Sequence, residues 1–243
     1  MQKTFIFDLD DTLIPCEIHY SRCTIMFISR MYEEFLKIAP TRVPTPQIIS
    51  HLVEEENSRL INEQGGFYKE IFAQAFVETY RKLCALSKLE PIKETEEQVF
   101  QLGMSVFDPE NYQNTVLPGV IETLNFLLEK GDEILVYTKG PEDSQRMKIE
   151  VNGLTTFFPN PIITHNKHHD QLKKIIGARD KERTFKVGNS VKSDINPALA
   201  AGIRAIHIPA ETWSHEDEMV KDPEKVIVFS HIQDIMRRYD ELG

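Results

Sequence analysis

The chain has 243 residues, with 28 Lys and Arg against 38 Asp and Glu, which gives a net charge of -10 at pH 7. This acidic balance disfavours binding to nucleic acids or to anionic membranes through bulk charge, and no apolar run approaches the length of a membrane span. The length is sufficient for one large or two modest domains. The three cysteines are odd in number and lack metal-ligand spacing, which is typical of a reducing compartment. The chain also enters its first strand without a signal peptide. We therefore expect a cytoplasmic protein.

The first predicted element is a short buried strand, Thr4–Phe7, followed at once by a polar turn. Its apolar, β-prone sequence is typical of a strand in a parallel sheet. Asp8 and Asp10 follow two residues apart, so an extended chain would point them to the same side. In an open α/β sheet, ligands bind beyond the carboxyl ends of the strands. Two carboxylates placed there together indicate a bound cation or an acid–base role.

More than a hundred residues then separate this strand from the next one, and their periodicity predicts helices. Four apolar patterns at helical spacing suggest a small helical bundle inserted into the chain. Prolines at 40, 44 and 46 and the Gly65-Gly66 pair separate the helices. We predict that residues 16–108 form this helical domain. The four patterns occupy residues 28–38, 48–60, 68–83 and 99–107.

From Pro118 onward, predicted helices and strands alternate, which indicates a doubly wound parallel sheet of the α/β class with right-handed crossovers. We predict that residues 1–15 and 109–243 form this Rossmann-like domain. A polar surface loop is expected at residues 211–223. The predicted strands are 133–137, 161–164, 185–187, 204–208 and 225–229, and the predicted helices are 120–129, 142–150, 169–176, 196–201 and 232–239.

Polar residues follow two further strands in a recognisable order. The strand at 133–137 runs into Thr138-Lys139-Gly140, and the strand at 185–187 runs into Gly188-Asn189-Ser190, with Asp194 four residues later. Lys167 lies between them. Together with Asp8-Leu9-Asp10-Asp11-Thr12, this order resembles the four motifs of the haloacid dehalogenase-like (HAD) hydrolase superfamily, in its phosphatase branch with a helical cap after the first motif.

The resemblance implies a role for each motif residue. Asp8 would be the nucleophile that forms an aspartyl-phosphate, and Asp10 would act as general acid and then base. Thr138, Lys139 and Lys167 would bind the phosphate. The implied cofactor is Mg²⁺. Its implied ligands are Asp8, the backbone carbonyl of Asp10, Asp194 and Asn189, although Asn189 stands where the family often has Asp.

Each of these residues also has a structural interpretation. Thr138 suits the end of a strand whatever its chemistry, and Asp194 could cap the following helix. Lys173 and Lys174 are alternatives to Lys167, although their positions favour the solvated face of a helix. Asp11 is interpreted as a turn residue.

The resemblance also narrows the reaction. An Asp two residues after the nucleophile is absent from the dehalogenases and phosphonatases of the superfamily, so Asp10 favours a phosphatase acting on a small phosphorylated metabolite. A hexose-phosphate mutase is the alternative enzyme, with His19 or Tyr20 at the start of the cap. A catalytically silent scaffold that binds a partner protein is the alternative of a different class.

We expect residues of the helical cap to determine the substrate specificity. Tyr20, Arg22 and Phe67 are candidate substrate contacts, because turns and helix starts at the open end of a cap can face the core. Nucleoside monophosphates, sugar phosphates and phosphoglycolate remain open as substrates, and the oligomeric state is undetermined.

Overall fold

The computed structural model describes residues 2–210 and 218–243. By internal contacts the chain divides into two compact units, one formed by residues 1–17 with 112–243 and the other by residues 18–111. Most of the polar loop expected at 211–223 lies outside the described residues. None of the helices in the described part of the chain combines the length and hydropathy needed to cross a lipid bilayer.

In its described residues, the first unit is an α/β unit built on a sheet of six parallel strands, β1 to β6, in the order β3-β2-β1-β4-β5-β6. The order reverses direction beside β1, which is the doubly wound arrangement that the alternating pattern predicts, so the predicted fold class is confirmed. The strands are β1 (Thr4–Phe7), β2 (Glu133–Lys139), β3 (Ile162–Thr164), β4 (Thr184–Gly188), β5 (Arg204–His207) and β6 (Val226–Val228). The helices of this unit are α5 (Val120–Glu129), α6 (Glu142–Val151), α7 (His169–Ile176), α8 (Asn196–Ala201) and α9 (Asp234–Arg237).

The central strand β1 positions the polar turn that follows it. All four of its residues are buried, as expected for a strand that pairs on both edges in a parallel sheet. It pairs with β2 on one side and β4 on the other, and Phe5 stacks on Phe185 of β4 with ring centroids 5.2 Å apart. The three strand ends that carry the polar motifs are therefore neighbours at the carboxyl edge of the sheet.

The second unit consists of helices α2, α3 and α4 together with all of α1 beyond its first residue. Its interior is aromatic: Phe27 stacks on Phe76 at 4.3 Å, and Phe72 lies 4.7 Å from Phe76. Thr45 caps α2, since its side chain accepts a hydrogen bond from the backbone of Ile48. The helices are α1 (Glu17–Ile38), α2 (Pro46–Gln64), α3 (Lys69–Ser87) and α4 (Lys93–Met104).

Several helix boundaries differ from the sequence-based prediction: α4, for example, begins at Lys93 and not at residue 99. Two of the differences involve side-chain hydrogen bonds. Helix α1 begins at Glu17, well before the apolar periodicity becomes visible, because the Asp11 carboxylate accepts hydrogen bonds from the backbone amides of Cys16 and Glu17 at 2.7 and 3.1 Å. The last helix is shorter than the predicted 232–239. Tyr239 lies instead in a 3-10 turn, where its hydroxyl donates to Asp132 at 2.6 Å.

Candidate active site

The turn after β1 holds its first carboxylate at the centre of the sheet edge. The backbone amide of Asp8 donates to the carbonyl of Val187 at 2.8 Å, so the ladder between β1 and β4 continues to this residue. The Asp8 side chain is buried. Asp11 has a positive φ of 55°, which agrees with its interpretation as a turn residue. Its carboxylate caps α1 and does not join the network of Asp8.

A buried ion network joins Asp8 to two other strand ends. The Lys167 ammonium donates to Asp8 Oδ1 at 2.5 Å and to Asp194 Oδ1 at 2.8 Å. The Lys186 ammonium lies 2.9 Å from the same Asp194 oxygen. All four side chains are almost completely shielded from solvent. Because isolated buried charges are very costly, each of these groups depends on its partners.

The pKa values in this network follow from burial and from the neighbouring charges. Burial, reinforced by the negative charge of Asp194, raises the pKa of Asp8 against the opposing effect of Lys167. Burial would also raise the pKa of Asp194, but the ammonium groups of Lys167 and Lys186 outweigh it and lower the pKa to about 2. Asp194 is therefore the more acidic carboxylate of the pair, and Asp8 is the more basic one.

The loop after β4 folds back so that the Asp194 carboxylate lies against Gly188, the last residue of that strand. A side chain at Gly188 would overlap the Asp194 carboxylate, so a residue without Cβ is needed at the strand end. Residues Val191–Ile195 form a wide helical turn, and the Ser190 amide donates to Asp194 Oδ2 at 3.3 Å. Both oxygens of Asp194 thus accept hydrogen bonds from the protein.

A second polar group surrounds Asp10. The Lys148 ammonium, on α6, donates to both oxygens of Asp10, at 2.9 and 3.1 Å. Gln145, one turn earlier on α6, donates to Asp10 Oδ2 at 3.0 Å and to the Thr138 hydroxyl at 2.7 Å. It also donates to the carbonyl of Lys139 at 3.2 Å. This group links the end of β1 to the end of β2.

The structure therefore brings Asp8, Lys167 and Asp194 together directly and joins Asp10 to Thr138 through Gln145. Lys139 contributes its backbone carbonyl to this link. Lys173 and Lys174, the alternatives to Lys167, are exposed on α7.

Sequence reasoning missed three members of these networks, namely Lys148, Gln145 and Lys186. Lys186 carried a signal, since a lysine inside an otherwise apolar buried strand calls for a buried anion. Gln145 and Lys148 carried a weaker signal, a polar pair three residues apart on the helix that follows Thr138.

The predicted substrate contacts lie in the helical unit. Tyr20 is buried there, with its ring edge-on to Phe72 at 4.9 Å and to Phe67 at 6.1 Å. Phe67 is half-buried against a small apolar cluster that includes Ile71. Arg22 is exposed on α1. Their role in substrate binding stays a prediction.

The oxygen atoms around Asp8 are of the type that Mg²⁺ prefers, but the protein supplies few of them. The Lys167 ammonium contacts Oδ1 of Asp8, and Asn189 Oδ1 accepts a long contact of 3.5 Å from the Thr12 hydroxyl. Mg²⁺ commonly takes one or two carboxylates, keeps several waters and adds a substrate phosphate. No cluster of three or more His, Cys, Asp or Glu side chains suited to a metal occurs in residues 2–210 and 218–243. A complete set of Mg²⁺ ligands would therefore need oxygens from a bound phosphate in addition to those of the protein.

Comparison with known proteins gives matches at the level of structure. No protein-family model and no curated protein sequence matches the chain. A haloacid dehalogenase-like family hydrolase from Xanthomonas campestris is 19% identical, with a TM-score of 0.74 over 99% of this chain and 96% of that one. A HAD-hydrolase from Bacillus subtilis bound to magnesium is 16% identical, with a TM-score of 0.59 over 98% and 99% of the two chains. A predicted phosphoglycolate phosphatase from Haemophilus somnus is 18% identical, with a TM-score of 0.58 over 98% of each chain.

The chain has the haloacid dehalogenase-like fold. The resemblance that the motifs carry is thereby confirmed at the level of the fold. Proteins assigned as haloacid dehalogenases and as a β-phosphoglucomutase have this HAD-like fold too. The fold by itself therefore does not select the reaction.

Proposed function

We propose that this HAD-like protein is a phosphatase that hydrolyses a small phosphoric monoester through an aspartyl-phosphate on Asp8. The observation that supports this most is the Lys167 ammonium, which bridges Asp8 and Asp194 at the carboxyl edge of the sheet. Such an arrangement holds a nucleophilic carboxylate in place and adds a fixed cation for the charge of a phosphoryl group.

In the first step, an Asp8 oxygen attacks phosphorus while the bond from phosphorus to the leaving oxygen breaks. Asp10 gives its proton to that oxygen, so the alcohol leaves neutral. In the second step, Asp10 takes a proton from water, and the resulting hydroxide attacks phosphorus. The bond to Asp8 then breaks, which releases inorganic phosphate and regenerates the free carboxylate.

The remaining residues bind and orient the phosphoryl group. The Thr138 hydroxyl and the Lys167 ammonium offer donors for its oxygens, with the Lys139 side chain as a further candidate. Mg²⁺, held by Asp8, the backbone carbonyl of Asp10 and Asn189, would supply a positive charge that neutralises the phosphoryl oxygens. The resemblance also gives Asp194 as a Mg²⁺ ligand, but its oxygens are engaged by Lys167, Lys186 and the Ser190 amide, so we assign it the role of holding the two lysines.

The presence of Asp10 favours hydrolysis of a phosphoric monoester over release of a halide. A halide leaves without a proton, whereas the oxygen of an alkyl phosphate needs one, and Asp10 is held by Lys148 and Gln145 near Thr138. A small phosphorylated metabolite in the cytoplasm is the proposed substrate. The three cysteines are buried and unpaired, which is consistent with a reducing compartment.

Phosphate release from a panel of nucleoside monophosphates, sugar phosphates and phosphoglycolate, with Mg²⁺ present, tests the proposal. The wild-type protein should release phosphate, and Asp8→Asn should remove turnover because an amide cannot act as this nucleophile. Isomerised sugar phosphate without free phosphate would identify a mutase, and halide release from 2-haloacids would identify a dehalogenase. An inert wild-type protein would support the scaffold alternative.

A further inference from the structure

We infer that Gln145 and Lys148, one turn apart on α6, are positioning residues that align the proton-transfer carboxylate Asp10 with the phosphate-binding hydroxyl of Thr138. This inference rests on the proposed phosphatase function. It assigns a task to two buried polar side chains that the reaction described above does not itself use.

The Gln145 contacts fix the direction of its amide. Its nitrogen lies within hydrogen-bond distance of the Asp10 carboxylate and the Lys139 carbonyl, and both of those groups can only accept. The amide orientation is therefore determined by its partners. The same nitrogen donates to the Thr138 hydroxyl at 2.7 Å. The two amide hydrogens are shared among these three acceptors, so Gln145 ties the Thr138 hydroxyl to the Asp10 carboxylate.

The backbone leaves room for this amide. Gly140, directly after Thr138 and Lys139, has a φ of 150°, and a Cβ at that position would lie 3.1 Å from the Gln145 side-chain carbonyl carbon. A residue with a side chain would press Gln145 away from its partners. The turn after β2 is thus shaped around the Gln145 amide.

Lys148 is the second side chain of α6 that holds the Asp10 carboxylate. Its ammonium contacts both Asp10 oxygens, lies 3.2 Å from the Cys16 sulfur and sits 4.7 Å from the centre of the Tyr112 ring. The lysine side chain is 2% exposed, whereas that of Asp10 is 25% exposed. A buried cation beneath a partly open carboxylate restricts the carboxylate to one orientation.

The positioning role predicts an effect that depends on the leaving group. In Lys148→Met and Gln145→Leu, kcat/KM for an alkyl phosphate should fall about 10- to 100-fold, as expected when a catalytic group is misplaced by roughly 1 Å. The loss for p-nitrophenyl phosphate should be several-fold smaller, because its leaving group needs little proton assistance. Lys148→Arg should restore part of the alkyl phosphate activity. Arg146→Met, at an exposed position on the same helix, is the matched control and should change neither value.

A double-variant cycle separates positioning from a general loss of structure. In an Asp10→Asn background, Lys148→Met should cost little more alkyl phosphate activity, because the group it aligns is already disabled. Equal losses on both substrates, or full additivity with Asp10→Asn, would overturn the inference. If Lys148→Met does not fold, as judged by circular dichroism and thermal unfolding, the Gln145→Leu cycle decides by the same criteria.

The failure of this inference is distinguishable from failure of the proposed function. A wild-type protein that releases no phosphate would remove the function itself. A wild-type protein that is active and sensitive to Asp10→Asn, with Lys148→Met and Gln145→Leu lacking any dependence on the leaving group, would remove the positioning role alone.

Discussion

The helical unit and the α/β unit bury different kinds of side chain. In the helical unit the interior is mainly aromatic and aliphatic, as in the stack of Phe27 on Phe76. Most of its ion pairs are at the surface: the side chains of Arg59 and Glu63, for example, are 42% and 57% exposed. Glu56 is an exception, since it is buried beside Arg59 and Lys82.

In the α/β unit, by contrast, several ionised side chains are buried together at one edge of the sheet. Asp194 and Lys186 have no exposed side-chain surface, and Lys167 is 3% exposed. Buried ion pairs are weak contributors to stability, because desolvation offsets much of the Coulomb attraction. The two units therefore differ in what their buried side chains indicate. Ionised side chains that are buried together, with little gain in stability, indicate a functional site in the α/β unit.

The largest expected effect concerns Asp10 in the α/β unit. Asp10→Asn keeps an acceptor for Lys148 but removes the transferable proton, so kcat/KM for alkyl phosphates should fall by roughly 10²–10⁴-fold. The loss on p-nitrophenyl phosphate should be smaller, while the circular dichroism spectrum stays unchanged. Asp170→Asn, at a carboxylate that is 73% exposed on α7, is the control. Equal losses on both substrates would mean that Asp10 does not transfer the proton.

In the helical unit, the largest effect should come from an apolar truncation. Phe76→Ala removes the ring that stacks on Phe27 and contacts Phe72, and the free energy of unfolding should fall by about 3–5 kcal/mol. Leu86→Ala, on the same helix but 65% exposed, should change it by less than about 0.5 kcal/mol. Denaturant titration of both variants measures the difference. Similar values for the two would contradict an aromatic core as the source of stability.

A smaller effect is expected for metal binding. The carboxylates of Asp8, Asp10 and Asp194 face three lysine ammonium groups, so the local charge is balanced and free Mg²⁺ should bind weakly. Asn189→Asp adds a negative charge directly after β4, and the Mg²⁺ dissociation constant should fall about tenfold, which is about 1.4 kcal/mol.

Calorimetric titration with Mg²⁺ alone, without substrate, provides that measurement. Asn125→Asp, which places the same charge at an exposed position of α5, should leave the dissociation constant unchanged. Equal dissociation constants for the wild type and Asn189→Asp would show that the ion does not sense position 189.

The smallest effect should come from a surface ion pair of the helical unit. Arg81 contacts Glu96 at 2.6 Å, and its hydrogen bond lowers the Glu96 pKa. A lowered carboxyl pKa contributes stability above the unfolded-state value near 4.3, and this contribution is lost as the pH falls through the folded-state value. Glu96→Gln should therefore cost about 0.2–1 kcal/mol at pH 7 and nearly nothing at pH 3.

Unfolding of wild type and Glu96→Gln at the two pH values checks this sign, and 1 M salt should reduce the difference at pH 7. If Glu96→Gln lowered the free energy of unfolding by more than about 2 kcal/mol, this surface pair would contribute as much as a buried pair. The contrast between the two units would then be wrong.

Much of the fold could be predicted from local sequence patterns. The alternation of helices and strands after Pro118 determined the doubly wound sheet, because the hydrophobic period and the breaker residues are properties of short segments. Asp8, Lys167 and Asp194 could be selected before any coordinates, because their order along the chain resembles the motifs of the HAD superfamily. The boundaries of α1 and α9 could not, since Asp11 and Tyr239 set them through side-chain hydrogen bonds.

The supporting charges of the site were decided by tertiary structure. Lys148 and Asp10 are separated by 138 positions in the chain, and nothing in the local pattern around either residue specifies the other. Lys186 stands out as a lysine within an apolar strand, but only the folded sheet shows that Asp194 is the anion beside it. Sequence patterns report which face of an element is apolar. The pairing of buried ions depends on the three-dimensional positions of side chains from distant segments, because only the folded chain removes them from water and brings them within hydrogen-bond distance.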